Sequence, residues 1–399
     1  MATQTQKICL QCGPDTVNHP LEYMAVLMDQ SVTPMERLVL PSMKVARMFK
    51  LYKITPYFLE ALAKVKIATV LSHPEKDEPH RSEVMWEEAL KRGINVKKYR
   101  IFNLPTQTFT AKYKNHYFAF DALPRPHHLP REGMLWMDDK YRLKLLLQKS
   151  GLPTARGGMA FSLRTAKKMF DSLSKPVICK PRLGSRSRHT TLNITDKQKF
   201  IEAFKSAKQI CPWVMIEESL TGPVHRATVI AGKCAGVVRR EVAGAVADGV
   251  HTVRELLEIE NKNPKRIIPI HVTEITPEIL AEQGLTWESV PEQGRFVNYS
   301  RKTSRGQGGR VITVTPQTHP DNIKLFEDIA DAVKDSLVGI DFMIDNISKS
   351  WKEQPTCGTL EINALPFIDL HHFPTEGEIE NVAGALWDAV IPESVRIQD

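Results

Sequence analysis

Two apolar segments in the C-terminal third carry polar ligand atoms where buried strands would not: Gly339-Ile340-Asp341-Phe342-Met343-Ile344 and Thr359-Leu360-Glu361-Ile362-Asn363-Ala364. Side chains alternate faces along a strand. Ile340, Phe342 and Ile344 can therefore enter a core with Asp341 on the other face, and Leu360 and Ile362 can do the same with Glu361 and Asn363 together opposite. Two carboxylates and an amide make a hard oxygen set suited to Mg²⁺, which keeps part of its water shell and shares coordination with phosphate oxygens. A nucleotide is the expected companion. Two edge strands with polar outer faces would show the same alternation, so the other chemistry-bearing residues have to decide.

Lys180 ends the apolar run Pro176 to Lys180 and is followed by a loop with Gly184 and three arginines, Arg182, Arg186 and Arg188. An ammonium at a strand end beside small loop residues is a phosphate grip, although a strand lysine snorkelling to solvent reads the same way. Trp213 to Glu218 is a strand ending in Glu217 and Glu218. Lys140 stands at the start of a helix whose Leu143, Leu146 and Leu147 share a face, stopped by Gly151 and Pro153. Val229 to Val238 reads as two strands around a tight turn. Asn322 to Val338 reads as an amphipathic helix with Ile323, Phe326, Ile329, Ala330, Val333 and Leu337 at helical spacing, ending at Gly339. Nearer the N-terminus, a strand over Lys66 to Ser72, a helix over Glu83 to Arg92 and a strand over Asn95 to Phe102 suggest a βαβ-like unit of a small α/β domain. Pro124 to Pro130 marks the domain boundary.

With 399 residues, 42% hydrophobic and 25% charged, the chain has room for two or three domains. No apolar stretch is long enough to span a bilayer, and Met1 to Lys7 leads into no signal-peptide core, so a cytoplasmic protein without a membrane partner is expected. Of six cysteines, only Cys9 and Cys12 have metal-like spacing, and the neighbourhood offers only His19 beside them. No zinc is expected, because a structural site wants a second pair or two histidines at similar spacing. The formal charge of +8 is clumped at Arg182 to His189, Lys262 to Arg266 and Arg301 to Arg305. ATP with an acidic substrate accounts for such clusters without a nucleic-acid module, so nucleic acid is not the expected partner.

The ordered set Lys140, Lys180, Glu217, Asp341, Glu361 and Asn363 resembles the ATP-grasp superfamily. Within it the chain resembles the ATP-grasp portion of cyanophycin synthetase, through Arg239 to Ala243, Asp248 to Leu256, Ala281 to Gly284, His319 to Asn322, the Gly-Ile-Asp-Phe strand, Glu361 to Pro366 and Pro374 to Gly377. The likeness covers about residues 135 to 380. It implies an α+β ATP-grasp fold, two subdomains clasping ATP, over 131–399 with a lid at about 151–215, preceded by the small N-terminal domain over 1–130.

By that resemblance Lys140, Lys180 and Gly184 would hold the ATP phosphates. Glu217, Glu218 and Leu220 would line the adenine hinge, and Asp341, Glu361 and Asn363 would bind Mg²⁺, two ions in all. Arg301 would steady an acyl-phosphate or the incoming carboxylate, with Lys180 beside it in catalysis, and Arg226 and Arg240 would contact phosphate or substrate. The activity implied is an ADP-forming carboxylate-amine ligase joining amino acids or extending a peptide, with a D-alanine–D-alanine-type or glutathione-type ligase as the alternative within the same machinery. A non-catalytic nucleotide-binding protein is the alternative outside it, and a homo-oligomer is compatible with the resemblance.

Four departures from the family pattern stand out. The loop at Ser185 to His189 lacks the usual glycines, and Val224 stands where an acid contacts the ribose. Gly306-Gln307 alters the loop before the glycine pair Gly308-Gly309. Phe367 and Asp369 replace a glycine and an arginine, and that last change would favour a more cationic acceptor. The Mur-ligase-like half of cyanophycin synthetase has no counterpart, so the resemblance does not imply synthesis of that polymer.

Overall fold

A computed structural model describes residues 9, 12, 17–28, 53–76, 78–126, 129, 133, 136–184 and 188–394. Ser185 to Ser187 of the departing loop and part of the Pro124 to Pro130 segment lie outside the described residues. The N-terminal part runs α1 (19–28), α2 (Thr55–Lys64), β1 (Ala68–Leu71), α3 (His80–Lys91), β2 (Asn95–Ile101), β3 (Leu104–Tyr113) and β4 (His116–Asp121). Next come α4 (Lys140–Lys149), β5 (Gly157–Ala160), α5 (Leu163–Ser172), β6 (Val177–Pro181), β7 (Thr191–Ile194), α6 (Lys197–Ala207) and β8 (Val214–Glu218). The rest comprises β9 (Val224–Ile230), β10 (Lys233–Glu241), β11 (Gly244–Val246), α7 (Val253–Asn261), α8 (Thr276–Glu282), β12 (Phe296–Asn298), β13 (Arg310–Thr313), α9 (Pro320–Val333), β14 (Leu337–Met343), β15 (Gly358–Asn363), α10 (Asp369–His372) and α11 (Val382–Val390). Among the described residues no helix is long and apolar enough to cross a membrane.

The five-stranded sheet β13-β10-β9-β14-β15 is antiparallel throughout and carries the two acid-bearing strands side by side. Its β9–β10 hairpin turns at Ala231 and Gly232, φ 50° and 79°, the left-handed pair that matches the twist of a tight hairpin. Helix α9 packs on one face, where Phe326, Ile329 and Val333 meet Ile340, Phe342 and Ile344, and the Phe326 ring stands edge-on to Phe342 at 5.5 Å. Each such side chain contributes roughly 1.5–3 kcal/mol on burial. The helix is shorter than its periodicity predicts: Lys334 enters the left-handed region at φ 55° and ends it, so Leu337 and Val338 belong to β14.

A second sheet, β5-β8-β6-β7, is backed by α5 and α6 around Phe170, Phe200 and Phe204. A small unit of β11, β12, α7 and α8 lies between β10 and β13 with its own core around Leu256, Val297 and Tyr299.

The expected βαβ unit is not formed. β1 and β2 pair antiparallel, Ala68 opposite Ile101, inside the sheet β1-β2-β3-β4. Residues 72–79 separate β1 from α3, and eight residues can span roughly 26 Å when extended, enough to carry the chain back along the strand before the helix begins. β3 and β4 escaped notice because Thr, Gln, Lys and His dilute their apolar alternation. This sheet and α3 share a core with the far end of the chain, where Val84, Trp86, Phe109 and Phe120 meet Leu386, Trp387 and Ile391 of α11 and its exit. Trp387 Nε1 donates to Met85 O at 2.8 Å, and Arg92 reaches Glu88, Asp388 and Ser394 O.

Two histidines make this fold sensitive to acid. Burial, then the Arg239 charge, pushes His225 down to about 4, and burial, then His371, does the same to His372, whose Nε2 accepts the Ala383 N–H at 3.0 Å. Both are neutral when folded and take up a proton near 6.5 when unfolded, so their contribution is intact above about pH 6.5 and is lost as pH falls toward 4. Urea unfolding across that window should show falling stability, with a shallower slope for His225→Leu; an unchanged slope would remove His225 from the account.

Candidate active site

Strand register assembles the core of the site. Arg226 on β9, Asp341 on β14 and Glu361 on β15 stand directly across from one another in adjacent strands. Arg226 Nε donates to Asp341 Oδ1 at 2.5 Å, and Arg240 Nη1 from β10 donates to Asp341 Oδ2 at 3.3 Å. Burial alone would raise the Asp341 carboxyl, but Arg226 and then Arg240 outweigh it and hold it below the usual carboxylate range. Glu361 goes the other way: burial and then the neighbouring Asp341 raise it, against Lys140 and Arg226. Asn363 lies two residues along the same strand, opposite Gly339, and its amide nitrogen is buried with no partner. The site thus holds a carboxylate pair that repels itself, with the amide of Asn363, whose oxygen is the third hard donor, two residues along β15. That donor set fits Mg²⁺.

A bulge between Asp341 and Phe342 modifies the expected alternation. Phe342 pairs with Thr359, Asp341 with Glu361, and Leu360 is the extra residue between them. Leu360 therefore leaves the core position predicted for it and lines a narrow cleft with Lys140, Lys144, Lys180, Glu217 and Thr359, between the five-stranded sheet and the sheet β5-β8-β6-β7. Gly339 has no room for a side chain, because a Cβ would stand 2.8 Å from Pro366 Cβ and 3.2 Å from Arg226 Nη1. Gly339→Ala should destabilise the fold by about 1–3 kcal/mol through overpacking and displace the guanidinium; denaturant unfolding with wild-type stability would show that the neighbours absorb the methyl freely.

The lysines come from the other side of the cleft. Asp139 caps α4, accepting from Tyr141 N and Arg142 N, and pairs with Arg182 beyond β6 at 2.5 and 2.9 Å. This fixes the start of the helix against the loop after β6, so Lys140 Nζ reaches Gly184 O at 2.7 Å. Burial lowers Lys140, Glu361 opposes that, and Lys180 adds to it, so this lysine sits in the fields of both the acid pair and the second lysine. Lys180 Nζ lies 2.7 Å from Glu217 Oε2, and Lys144 Nζ lies 3.0 Å from Glu217 Oε1.

Glu217 was expected at an adenine hinge. Burial alone would raise its carboxyl, but Lys180 and Lys144 outweigh it and keep Glu217 ionised. Glu218 accepts from Ser174 N at 2.9 Å. Both acid side chains are thus engaged within the protein, as are the backbone N–H groups of Glu218 and Ser219, which donate to Arg156 O at 2.8 Å and Pro176 O at 2.9 Å, while Leu220 packs on Gly358. Lys144, missed from sequence, could have been found by its i+4 spacing from Lys140.

The structure does not bring Arg301 to the acids. It is nearly half exposed and paired with Glu282 at 2.6 Å and Glu278 at 3.6 Å on α8. Four residues on, Arg305 takes the inner position, paired with Asp369, its pKa lowered to about 10 by burial and by Arg240. The negative charge at Asp369 is answered internally by Arg305, which removes the reason to expect a more cationic acceptor. Arg226 Nη1, Arg305 Nη1 and Asn363 Nδ2 are all buried without a partner. Such orphaned donors are costly unless an anion or water completes them, and a phosphate or carboxylate does so. Four of the nine Lys and Arg residues in the sequence's basic clusters are engaged in internal pairs: Arg182 with Asp139, Arg266 with Glu260, Arg301 with Glu282 and Arg305 with Asp369.

Beyond Arg240 an open groove of about 520 Å³ is lined by Pro223, Glu241, Val242, Val246, Phe296, Asn298 and Arg310. Arg310 bridges Glu241 at 2.9 Å and Glu376 at 2.7 Å and lies over the Phe296 ring. From the N-terminal part, Arg81 donates to Leu365 O at 3.3 Å and stacks on Phe367, at the edge of the segment that follows the acid-bearing β15.

No protein-family model matches the chain. Cyanophycin synthetase of Synechocystis is 30% identical over 272 residues, covering 64% of this chain and 30% of that protein. The glutathione biosynthesis bifunctional protein of Streptococcus agalactiae is 28% identical over 276 residues, covering 65% of this chain and 36% of that protein. The chain thus spans about a third of the length of these relatives. Among solved structures, a bifunctional glutathione synthetase from Pasteurella multocida superposes with a TM-score of 0.64 at 24% identity, covering 78% of this chain and 44% of that one, a likeness of fold. The chain has the ATP-grasp fold, and cyanophycin synthetase is among the proteins to which its sequence is similar.

Proposed function

We propose that the chain is a Mg²⁺- and ATP-dependent ligase that joins the carboxylate of one amino acid or peptide to the amine of another, releasing ADP and phosphate. The observation that carries this reading is the row Arg226–Asp341–Glu361 with orphaned guanidinium and amide donors around it, facing Lys140 across the cleft. Asp341, Glu361 and Asn363 would hold Mg²⁺, which when bound offsets charge on phosphate oxygens. Lys140 and Lys180 hold positive charge at the opposite wall, and the unpaired Nη1 of Arg226 completes the anion site from below.

In this reading a substrate carboxylate oxygen attacks the γ-phosphorus of ATP, and the bond to the bridging oxygen breaks as ADP leaves. The amine nitrogen then attacks the acyl carbon, phosphate departs with the bonding pair, and the ammonium proton goes to solvent. Arg240 sits between the acids and the groove and orients the carboxylate, while the Glu241–Arg310 pair offers opposite charges to the ammonium and carboxylate of an amino acid against the apolar wall of Val246 and Phe296. The sheet β5-β8-β6-β7 would cover the nucleotide and exclude water, which would hydrolyse the acyl-phosphate.

The test is ADP release in Mg²⁺-ATP against pooled amino acids and short peptides, with mass spectrometry of the products. ADP formation that depends on an added amino acid and yields a new amide supports the reading. Tight ATP binding without any turnover across the pool would favour a nucleotide-binding protein that does no chemistry, and absence of ATP binding would overturn both.

A further inference from the structure

The reason for expecting no zinc was the lack of a second histidine near Cys9 and Cys12. The fold supplies it from position 189. Cys9, Cys12, His19 and His189 bring one ligand atom each to within 4.8 Å of all the others, with Cys12 and His189 buried. We propose that these four residues hold a structural zinc ion that fastens the N-terminal segment to the connection between β6 and β7, a site separate from the nucleotide cleft.

The distances fit a tetrahedral ion. Zn–S bonds of about 2.3 Å and Zn–N bonds of about 2.0–2.1 Å place tetrahedral ligands about 3.3 Å apart for N···N and about 3.5 Å for S···N. The observed separations are 3.3 Å for His189 Nε2 to His19 Nε2, and 3.2, 3.3 and 3.7 Å for Cys12 Sγ to His19 Nε2, Cys12 Sγ to His189 Nε2 and Cys9 Sγ to His189 Nε2. Hydrogen bonding alone does not account for them. His189 Nδ1 lies 2.9 Å from the Ser206 carbonyl, which can only accept, so the ring proton is on Nδ1 and Nε2 presents a single lone pair. One lone pair takes one hydrogen, yet three polar atoms crowd that nitrogen. A cation at the centre explains all of the contacts, and the Ser206 carbonyl is the outer partner that orients a ligating imidazole.

The two cysteines are also joined through the backbone. Cys12 N donates to Cys9 O at 3.0 Å, and His19 opens α1. Two thiolates and two neutral imidazoles give a neutral complex with Zn²⁺ and leave no open position, which makes the site structural and not catalytic. The location gives it a second consequence. His189 and Gly184 lie in the same β6–β7 connection, one end tied to the cluster and Ser206, the other to Lys140.

The test is metal content of the full chain purified without chelator, together with absorption of the cobalt-substituted protein. About one zinc per chain, with the d–d bands of tetrahedral Co²⁺ and sulfur-to-cobalt charge transfer, is the expected result. Both signals should be lost in Cys12→Ser and in His189→Asn. His189→Gln checks the result where either variant fails to fold, as judged by circular dichroism. Folded wild-type protein that retains no zinc and gives no tetrahedral cobalt spectrum overturns the proposal, as does zinc that survives in folded Cys12→Ser and His189→Asn. Neither readout depends on ligase turnover.

Discussion

Glu361→Gln is expected to reduce Mg²⁺-dependent ADP release by well over 100-fold, since even the outer-shell partners of a bound metal are worth about 10–100-fold. The substitution keeps the shape of β15 and its register with Asp341, so folding should be preserved. Glu361 is strained against Asp341 without a cation, and the amide relieves that strain, so the variant should unfold at equal or higher denaturant while losing turnover. Opposite movement of activity and stability is the signature of a charge kept for binding. A variant that keeps turnover within tenfold would remove Glu361 from the metal site, and one that loses both together would make it a structural acid.

The second large effect concerns the other half of the pair. Arg226 and Asp341 are each about 3% exposed, and their ion pair is buried. Removing one partner of such a pair strands the other charge and typically costs about 3–5 kcal/mol, whereas replacing both is often close to neutral. Arg226→Leu should therefore lower the unfolding free energy by about 3 kcal/mol, the lower end of that range because Arg240 still reaches Asp341. Adding Asp341→Asn should restore most of the loss. Mg²⁺ should stabilise Arg226→Leu more than the wild type, because the cation answers the charge that the arginine left. Urea unfolding of the two variants with and without Mg²⁺ decides it. Additive losses in the double variant would mean that the pair is not coupled.

These residues also show what a sequence carries. Asp341 and Glu361 were legible because alternation along a strand is local, and antiparallel pairing then made them neighbours as expected. The bulge at Leu360 was not legible, since an extra residue in one strand has no signature until the partner strand is known. Arg301 was legible only through its likeness to an arginine of the family segment before Gly308-Gly309, and Arg305, in the same basic run, carried no signal of its own. Only the fold decides that Arg301 meets the acids of α8 while Arg305 turns inward to Asp369. Lys140 and Lys180 were readable as helix-start and strand-end cations, respectively. That Lys180 shares Glu217 with Lys144 was not, because it depends on how α4 lies across β8. The N-terminal sheet was misread for a related reason: a strand, a helix and a strand in order do not say which way the second strand runs. His189 stands 170 residues from His19, beyond any spacing rule.

The shared core of α3 and α11 has a consequence for how the protein is made. Met85 and Trp387 are 302 residues apart, and the aromatic cluster around Trp86 and Phe109 is closed only when Leu386, Trp387 and Ile391 arrive. At about 5–20 residues per second of synthesis, the first sheet would wait roughly 15–60 s with its apolar face uncovered, the interval in which nascent chains aggregate or recruit chaperones. Translation speed over the last third of the message therefore becomes a determinant of yield, and slow codons placed there should cost more folded protein than the same codons placed early.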